Sequence, residues 1–121
     1  MMWNYLVSAL AGGTQIVLYD GSPLYPKPSS QLAIVKREHV EDWGTSPKFL
    51  ESLKATSFAV PPLPQLAVVD VTGSALSAEL YDWFYTKFPS RLGLLSGSGG
   101  TDLVGGSRWP PSCLRTVLWT C

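Results

Sequence analysis

The sequence contains few of the residues from which metal centres and nucleophilic sites are usually built. Its 121 residues include one histidine, His39, and two cysteines, Cys113 and Cys121. A structural zinc site takes four nitrogen or sulfur ligands at characteristic spacings, and this set provides neither the number nor the spacing. We therefore interpret His39 as a residue at a helix end and the two cysteines as free thiols, with a short disulfide loop as the alternative.

Charge is also scarce. Charged residues make up 15% of the chain, and the nine acidic and nine basic residues balance to a net charge of zero. A neutral chain without a basic patch has no electrostatic reason to bind nucleic acid or an anionic membrane. We therefore expect neither as a partner.

No apolar run is long enough to span a bilayer. The most apolar stretch, residues 1–13, is shorter than the roughly 20 residues that a spanning helix needs. No lysine or arginine occurs before Lys27, so the positive start of a secretion signal is missing. This pattern predicts a buried helix over residues 1–13 of a cytoplasmic protein.

The residues that are abundant indicate alternating strands and helices. Hydrophobic residues make up 45% of the chain, enough for a packed core, and β-branched runs alternate with amphipathic segments. Serines that can cap helices, Ser30, Ser46 and Ser77, precede three of these segments. The predicted strands are residues 15–19, 66–71 and 92–95, with a weaker one at 40–44, and the predicted helices are residues 30–37, 47–54 and 77–88.

This alternation predicts an α/β fold with a partial doubly wound, mostly parallel sheet. In such sheets ligands bind beyond the carboxyl ends of the strands. Three loops are predicted to meet at that edge: residues 44–46, 72–75 and 98–102.

The loop Ser98-Gly99-Gly100-Thr101-Asp102 has the composition of an anion site. Two glycines let the backbone approach a ligand and expose its N–H groups, a threonine hydroxyl suits a phosphate oxygen, and an aspartate can hold Mg²⁺. Alone, such a loop after a strand is more often an ordinary turn, and the same holds for the Gly73-Ser74-Ala75 turn. Neither a Walker A loop nor the dinucleotide-binding fingerprint occurs.

Five blocks, taken together, resemble acetoacetyl-CoA synthetases of the adenylate-forming superfamily. They occur in the order of that family and cover about residues 1–106. The blocks are Met-Met-Trp-Asn-Tyr-Leu-Val-Ser-Ala-Leu from residue 1, Val-Leu-Tyr-Asp-Gly-Ser-Pro-Leu-Tyr-Pro from residue 17, Gly-Thr-Ser-Pro-Lys-Phe-Leu from residue 44, Thr-Gly-Ser-Ala-Leu-Ser from residue 72 and Ser-Gly-Gly-Thr-Asp from residue 98.

The resemblance implies an activity and a role for particular residues. Enzymes of this superfamily activate a carboxylate with ATP to an acyl-adenylate and transfer the acyl group to coenzyme A. By position, Thr101 would contact the AMP phosphate beside Gly100, and Asp102 would bind Mg²⁺, so these two residues would be catalytic. Gly73, Ser74 and Ala75 would line the adenine, while Thr45 and Gly99 would border the acyl pocket. Glycine at residue 99, where acetate-specific relatives carry tryptophan, leaves room for acetoacetate.

The sequence also departs from the family pattern. The phosphate loop, the ribose-binding aspartate and the C-terminal domain with its catalytic lysine are all missing. Residues 107–121 do not continue the pattern and are interpreted as an aberrant tail, and Asp70 stands in a strand where an apolar residue is expected. We therefore expect part of the flavodoxin-like subdomain of an adenylation domain over residues 1–106, incomplete and inactive alone.

Three alternatives remain at this point. The first is part of another short-chain acyl-CoA synthetase, and the second is a non-catalytic nucleotide-binding module. The third is a relic that is not translated.

Overall fold

The computed structural model describes residues 2–100, 105–106 and 116–120. The elements, in chain order, are α1 (Met2–Ala11), β1 (Gln15–Tyr19), α2 (Ser30–Arg37), β2 (Asp42–Thr45), α3 (Pro47–Lys54), β3 (Val68–Val71), α4 (Ala78–Lys87), β4 (Gly93–Ser96), β5 (Gly99–Gly100), β6 (Gly105–Gly106) and β7 (Thr116–Thr120). All the predicted helices and strands are present, with ends shifted by one or two residues.

Five strands form one sheet in the order β1-β7-β2-β3-β4, and every neighbouring pair is parallel. The predicted α/β class and parallel sheet are therefore confirmed. The parallel pairing of β3 with β4 follows from their connection through α4, since a helical crossover joins parallel strands. The remaining two strands, β5 and β6, pair antiparallel outside this sheet.

The strand β7 was not predicted. It lies between β1 and β2, with Val117 beside Ile16 on one side and beside Asp42 on the other. Part of the stretch that was interpreted from the sequence as an aberrant tail, residues 107–121, therefore occupies a central position in the sheet.

The hydrophobic core lies on one face of the sheet. The register aligns one row of side chains across all five strands, and the row consists of Val17, Leu118, Trp43, Val69 and Leu94. Helices α2, α3 and α4 cover this face with buried apolar side chains such as Val35, Leu50 and Phe84. Asp70 belongs to the opposite face, because its neighbours Val69 and Val71 point into the core. The carboxylate therefore does not interrupt the core.

The ends of the helices follow the local sequence. The backbone N–H of Phe49 donates to Ser46 Oγ at 3.3 Å, and that of Leu80 donates to Ser77 Oγ at 3.2 Å, so both predicted caps are confirmed. The predicted cap at Ser30 is wrong. Helix α2 starts at that residue, and Ser29 before it has helical dihedral angles and makes no side-chain cap bond. His39 follows the end of α2 with φ of 54°, as expected for a residue at a helix end.

The expectation that α1 is buried is wrong over its described side chains, because Val7 and Leu10 are exposed. Phe84 of α4 is fully buried against the ring of Phe88, with centroids 4.4 Å apart. None of the helices within the described ranges is both long and apolar enough to cross a membrane.

Candidate functional site

The three loops singled out in the sequence leave neighbouring strands at the same edge of the sheet. The last row of the register joins Thr45 of β2 to Val71 of β3, and Val71 to Ser96 of β4. Neighbouring strands are about 4.8 Å apart, so Thr45 and Ser96 lie roughly 10 Å from each other. An edge of this width suits a small ligand that touches all three loops.

The turn after β3 is open. Gly73 has φ of +97°, which favours glycine, and a Cβ built on it would meet nothing within 4 Å. Ser74 and Ala75, which follow it, are small and exposed. The turn therefore presents bare backbone that a flat group can approach, although any side chain at residue 73 would strain the backbone.

Directly after β4, the chain stays in close contact with β3. A Cβ on Gly97 would lie 3.0 Å from Thr72 Cγ2 and 3.3 Å from Asp70 Oδ1. The backbone N–H of Gly97 donates to the Val71 carbonyl at 2.9 Å. Gly97 was not among the residues singled out in the sequence. Its role here is steric, because it lets the loop start directly against β3.

The glycine pair of the last loop forms the short strand β5. Gly99 pairs with Gly106 and Gly100 with Gly105, so β6 returns alongside β5. The predicted catalytic residues Thr101 and Asp102 belong to the connection between these strands and lie outside the described residues. Gly99 is exposed, as a residue that borders a pocket should be.

Thr45 carries a buried hydroxyl at this edge. The residue is 5% exposed, and its Oγ1 has no hydrogen-bond partner among the described residues. Gln31, in the first turn of α2, has a buried side-chain amide that also lacks a partner there. Buried polar groups usually have partners, so each is a donor or acceptor available to another group. In the sequence, the signal for Gln31 is a polar residue at a position where the amphipathic pattern of α2 would take an apolar one.

One exposed ion pair joins α3 to α4. Lys54 Nζ lies 2.5 Å from Glu79 Oε1, and this hydrogen bond and charge lower the pKa of the exposed Glu79 carboxyl. Within the part of the chain that the structure describes, no three His, Cys, Asp or Glu side chains come together as a metal site would require.

A separate groove of about 920 Å³ lies along the outer side of α2. It includes cationic side chains, of which Arg37 is paired with Glu38 at 2.6 Å. Its lining contains none of the residues in the three loops, and the residues are Lys27, Ser29, Ser30, Ala33, Lys36, Arg37, His39, Ser57, Phe58, Ala59 and Pro61. This groove is therefore distinct from the candidate site.

Comparison with known proteins gives a consistent result. The acetoacetyl-CoA synthetases of Mus musculus and Gallus gallus are 41% and 39% identical to this chain in an alignment of 107 positions, gaps included, that covers 86% of the chain. A malonamoyl-CoA synthetase of Penicillium aethiopicum is 34% identical in an alignment of 135 positions that covers 98% of the chain. No protein-family profile matches.

A solved structure agrees with these sequences. Acetoacetyl-CoA synthetase from Streptomyces lividans superposes on 84% of this chain with a TM-score of 0.76 and 36% sequence identity. The chain covers 17% of that structure and 16% of the mouse and chicken relatives. In sequence and in fold, this chain is therefore a relative of the acetoacetyl-CoA synthetases that corresponds to about one sixth of their length.

Proposed function

We propose that this chain carries one wall of the substrate site of an ATP-dependent acetoacetate–CoA ligase and is inactive by itself. The observation that carries the proposal is the convergence of the three loops at the carboxyl edge of β2, β3 and β4. The family resemblance assigns the acyl pocket, the adenine and the phosphate to these same loops. The reaction joins acetoacetate to coenzyme A, and ATP, with Mg²⁺, supplies the adenylyl group that activates the carboxylate.

The turn Gly73-Ser74-Ala75 would receive the adenine ring. The open space above Gly73 supports this assignment, because a ring needs close access to a flat stretch of backbone. The close contact of Gly97 with Thr72 supports it further. That contact would hold the loop of residues 98–102, which we propose faces the phosphate, next to the adenine turn, as two parts of one nucleotide require.

The acyl pocket would lie between Thr45 and Gly99. The acetoacetyl and malonamoyl groups in the names of the relatives share a carbonyl at the 3-position and are nearly equal in size. The Thr45 hydroxyl, buried and without a partner among the described residues, is a suitable donor to such a carbonyl. Gly99 contributes no side chain, so the pocket keeps room for an acyl group longer than acetyl.

Thr101 and Asp102 would complete the wall. A threonine hydroxyl beside the Gly100 amide would donate to a phosphate oxygen, and a carboxylate is a ligand that Mg²⁺ prefers. Donors aimed at developing charge give much of the rate in such sites, but they act only when the reacting groups are held together. One wall cannot do this, which is why we expect no turnover from the chain alone.

The experiment is acetoacetate-dependent ATP–pyrophosphate exchange, measured in two proteins. The isolated chain should show none. In the mouse synthetase, replacing the threonine that matches Thr101 by alanine should lower exchange about 100- to 1000-fold, or about 2.7–4 kcal/mol. Robust exchange by the isolated chain would overturn the first expectation. If the variant exchanges at the wild-type rate, the glycine-rich loop is a structural turn without a catalytic role.

A second measurement in the mouse synthetase tests the acyl pocket. Replacing the threonine that matches Thr45 by valine should reduce kcat/KM for acetoacetate and leave that for butyrate, which lacks the 3-carbonyl, nearly unchanged. An equal loss for both substrates would indicate a general structural effect. This outcome would contradict the role of the hydroxyl in substrate choice.

The malonamoyl-CoA synthetase supports a second candidate, a ligase segment for a different short acyl group. Full-length relatives assayed with both acids would distinguish the two. A non-catalytic nucleotide-binding module is the remaining alternative, and binding of a non-hydrolysable ATP analogue by the isolated chain would favour it. For each of these functions we propose a cytoplasmic location.

A further inference from the structure

The groove along the outer side of α2 gathers positive charge, although the chain as a whole is neutral. Its lining includes Lys27, Lys36, Arg37 and His39, and it includes no aspartate or glutamate. Cations that line a concave surface produce a local positive field even where the net charge is zero. The groove therefore attracts anions.

The cations of the groove keep donors available to a ligand. Within the ranges that the structure describes, neither Lys27 nor Lys36 forms an ion pair. Arg37 Nε donates to Glu38 Oε1 at 2.6 Å, and this bond uses one of the five N–H donors of the guanidinium. An anion in the groove can thus accept hydrogen bonds from all three cations.

The helical wall of the groove separates its cations along the axis of α2. Ser29, Ala33 and Lys36 follow each other at i, i+4 and i+7, so they lie on the same side of the helix. A rise of 1.5 Å per residue places Lys36 about 10 Å along the axis from Ser29, whereas Lys27 precedes the helix at the other end. This spacing suits an extended ligand with more than one negative charge.

The opposite wall is apolar. It is formed by Phe58, Ala59 and Pro61 from the loop after α3. Phe58 is half-buried because it packs against the hydrophobic core, so its position is fixed while part of the ring faces the groove. An aromatic ring held in this way can pack against a flat group of a ligand. The volume of about 920 Å³ lies within the range of about 300–1,000 Å³ for small-molecule sites.

The charge of the groove favours a small anion over a macromolecule. A surface that packs against polypeptide is mostly apolar, because burying a lysine without an acidic partner is costly. This reasoning holds whether or not further polypeptide adjoins the groove. Nucleic acids are bound through longer rows of phosphate contacts than three cations provide.

We propose that the groove along α2 binds a small phosphorylated ligand of the nucleoside diphosphate class. Lys27, Lys36 and Arg37 would donate to the phosphate oxygens, and Phe58 would pack against the ring. The first backbone N–H groups of α2 donate to carbonyls of the preceding turn, so these contacts come from side chains. The groove shares no residue with the three loops, so this inference is independent of the proposed ligase function.

The test is a titration of the ¹⁵N-labelled full chain with ADP, and separately with inorganic pyrophosphate, followed by two-dimensional NMR. Both should shift amide signals of residues 29–39 and 57–61 in a saturable way, and added salt should weaken both. Lys27→Ala or Lys36→Ala should raise each Kd about threefold or more, and the double variant about tenfold, because charge-assisted bonds are lost. Lys36→Arg, which keeps the charge, should retain binding.

Two further variants separate a built site from general attraction to lysine. Lys87 is exposed in the last turn of α4 and does not line the groove, so Lys87→Ala should leave both Kd values unchanged. Phe58→Leu keeps an apolar side chain against the core but removes the ring. It should therefore reduce the affinity for ADP to that for pyrophosphate.

Three outcomes would overturn the proposal. The first is the absence of saturable shifts with either ligand. The second is a set of shifts confined to residues 73–75 and 99–100, which would assign the binding to the proposed ligase site instead. The third is equal weakening by Lys36→Ala and Lys87→Ala, which would show non-specific attraction. Failure of the ligase proposal, by contrast, would leave the shifts in the groove unchanged.

Discussion

Replacing Gly97 by alanine should destabilise the chain. The new Cβ would lie 3.0 Å from Thr72 Cγ2 and 3.3 Å from Asp70 Oδ1, so the two loops must separate by a few tenths of an ångström. Overpacking of this kind costs about 1–3 kcal/mol. Alanine also restricts the unfolded chain, which offsets about 0.4–1 kcal/mol. The expected net loss therefore lies between about 0 and 2.6 kcal/mol, with a central value of about 1.3 kcal/mol.

Unfolding in urea, followed by tryptophan fluorescence at low protein concentration, measures this loss. Trp43 is fully buried, so its emission should change when the core opens. For a small protein the midpoint falls by about 0.3–1 M urea for each kcal/mol lost, if the slope is about 1–3 kcal/mol per M. Gly93→Ala, at the start of β4, is the matched control. Its Cβ would lie 3.7 Å from the Ala67 carbonyl oxygen, an ordinary contact, and should leave the midpoint unchanged or slightly higher.

A second substitution tests whether steric contact with Thr72 causes the loss of stability in Gly97→Ala. Thr72→Ser removes the methyl group that the new Cβ would meet. In the Gly97→Ala background it should therefore restore part of the lost stability, while in the wild type it should not stabilise. If Gly97→Ala is as stable as Gly93→Ala, or if Thr72→Ser gives no recovery, the close approach of these loops does not determine their packing.

Three further predictions concern stability. Ser77→Ala should lower the free energy of unfolding by about 0.5–2 kcal/mol because it removes a cap bond, whereas Ser29→Ala should be nearly neutral because no such bond exists; urea titration compares them. The Lys54–Glu79 contact lowers the pKa of Glu79, so its stabilising contribution is present above the unfolded pKa and is lost as pH falls through the folded pKa. In a plot of unfolding free energy against pH, Glu79→Gln should therefore lose less stability at acid pH than the wild type does. Added salt should weaken the pH dependence of the wild type, and identical plots for the two proteins would contradict this prediction. Thr45→Val should be neutral or stabilising in the isolated chain, because its buried hydroxyl has no hydrogen-bond partner among the described residues, and a clear loss in urea titration would reveal an unrecognised structural bond.

The sequence was sufficient for all the elements except β5, β6 and β7, and for the edge of the sheet at which the three loops meet. Apolar periodicity predicts α3 and α4, and the hydroxyls of Ser46 and Ser77 predict where these helices start, since each caps its own helix within three residues. Because helical crossovers make β2, β3 and β4 parallel, the order of elements also predicts that the loops after them share one edge. The family resemblance depends on the residues of these same loops.

Only the tertiary structure decided the order of the sheet and the surroundings of single side chains. The pairing of β7 between β1 and β2 joins residues distant in sequence, and no local pattern encodes such a contact. The same holds for Gly97, where a side chain would press against Thr72 and Asp70. Burial likewise depends on what packs above a residue: the apolar pattern of α1 predicts a buried helix, yet within the described residues Val7 and Leu10 remain exposed. A sequence pattern specifies which side of an element is apolar, and only the assembled fold determines whether another element covers it.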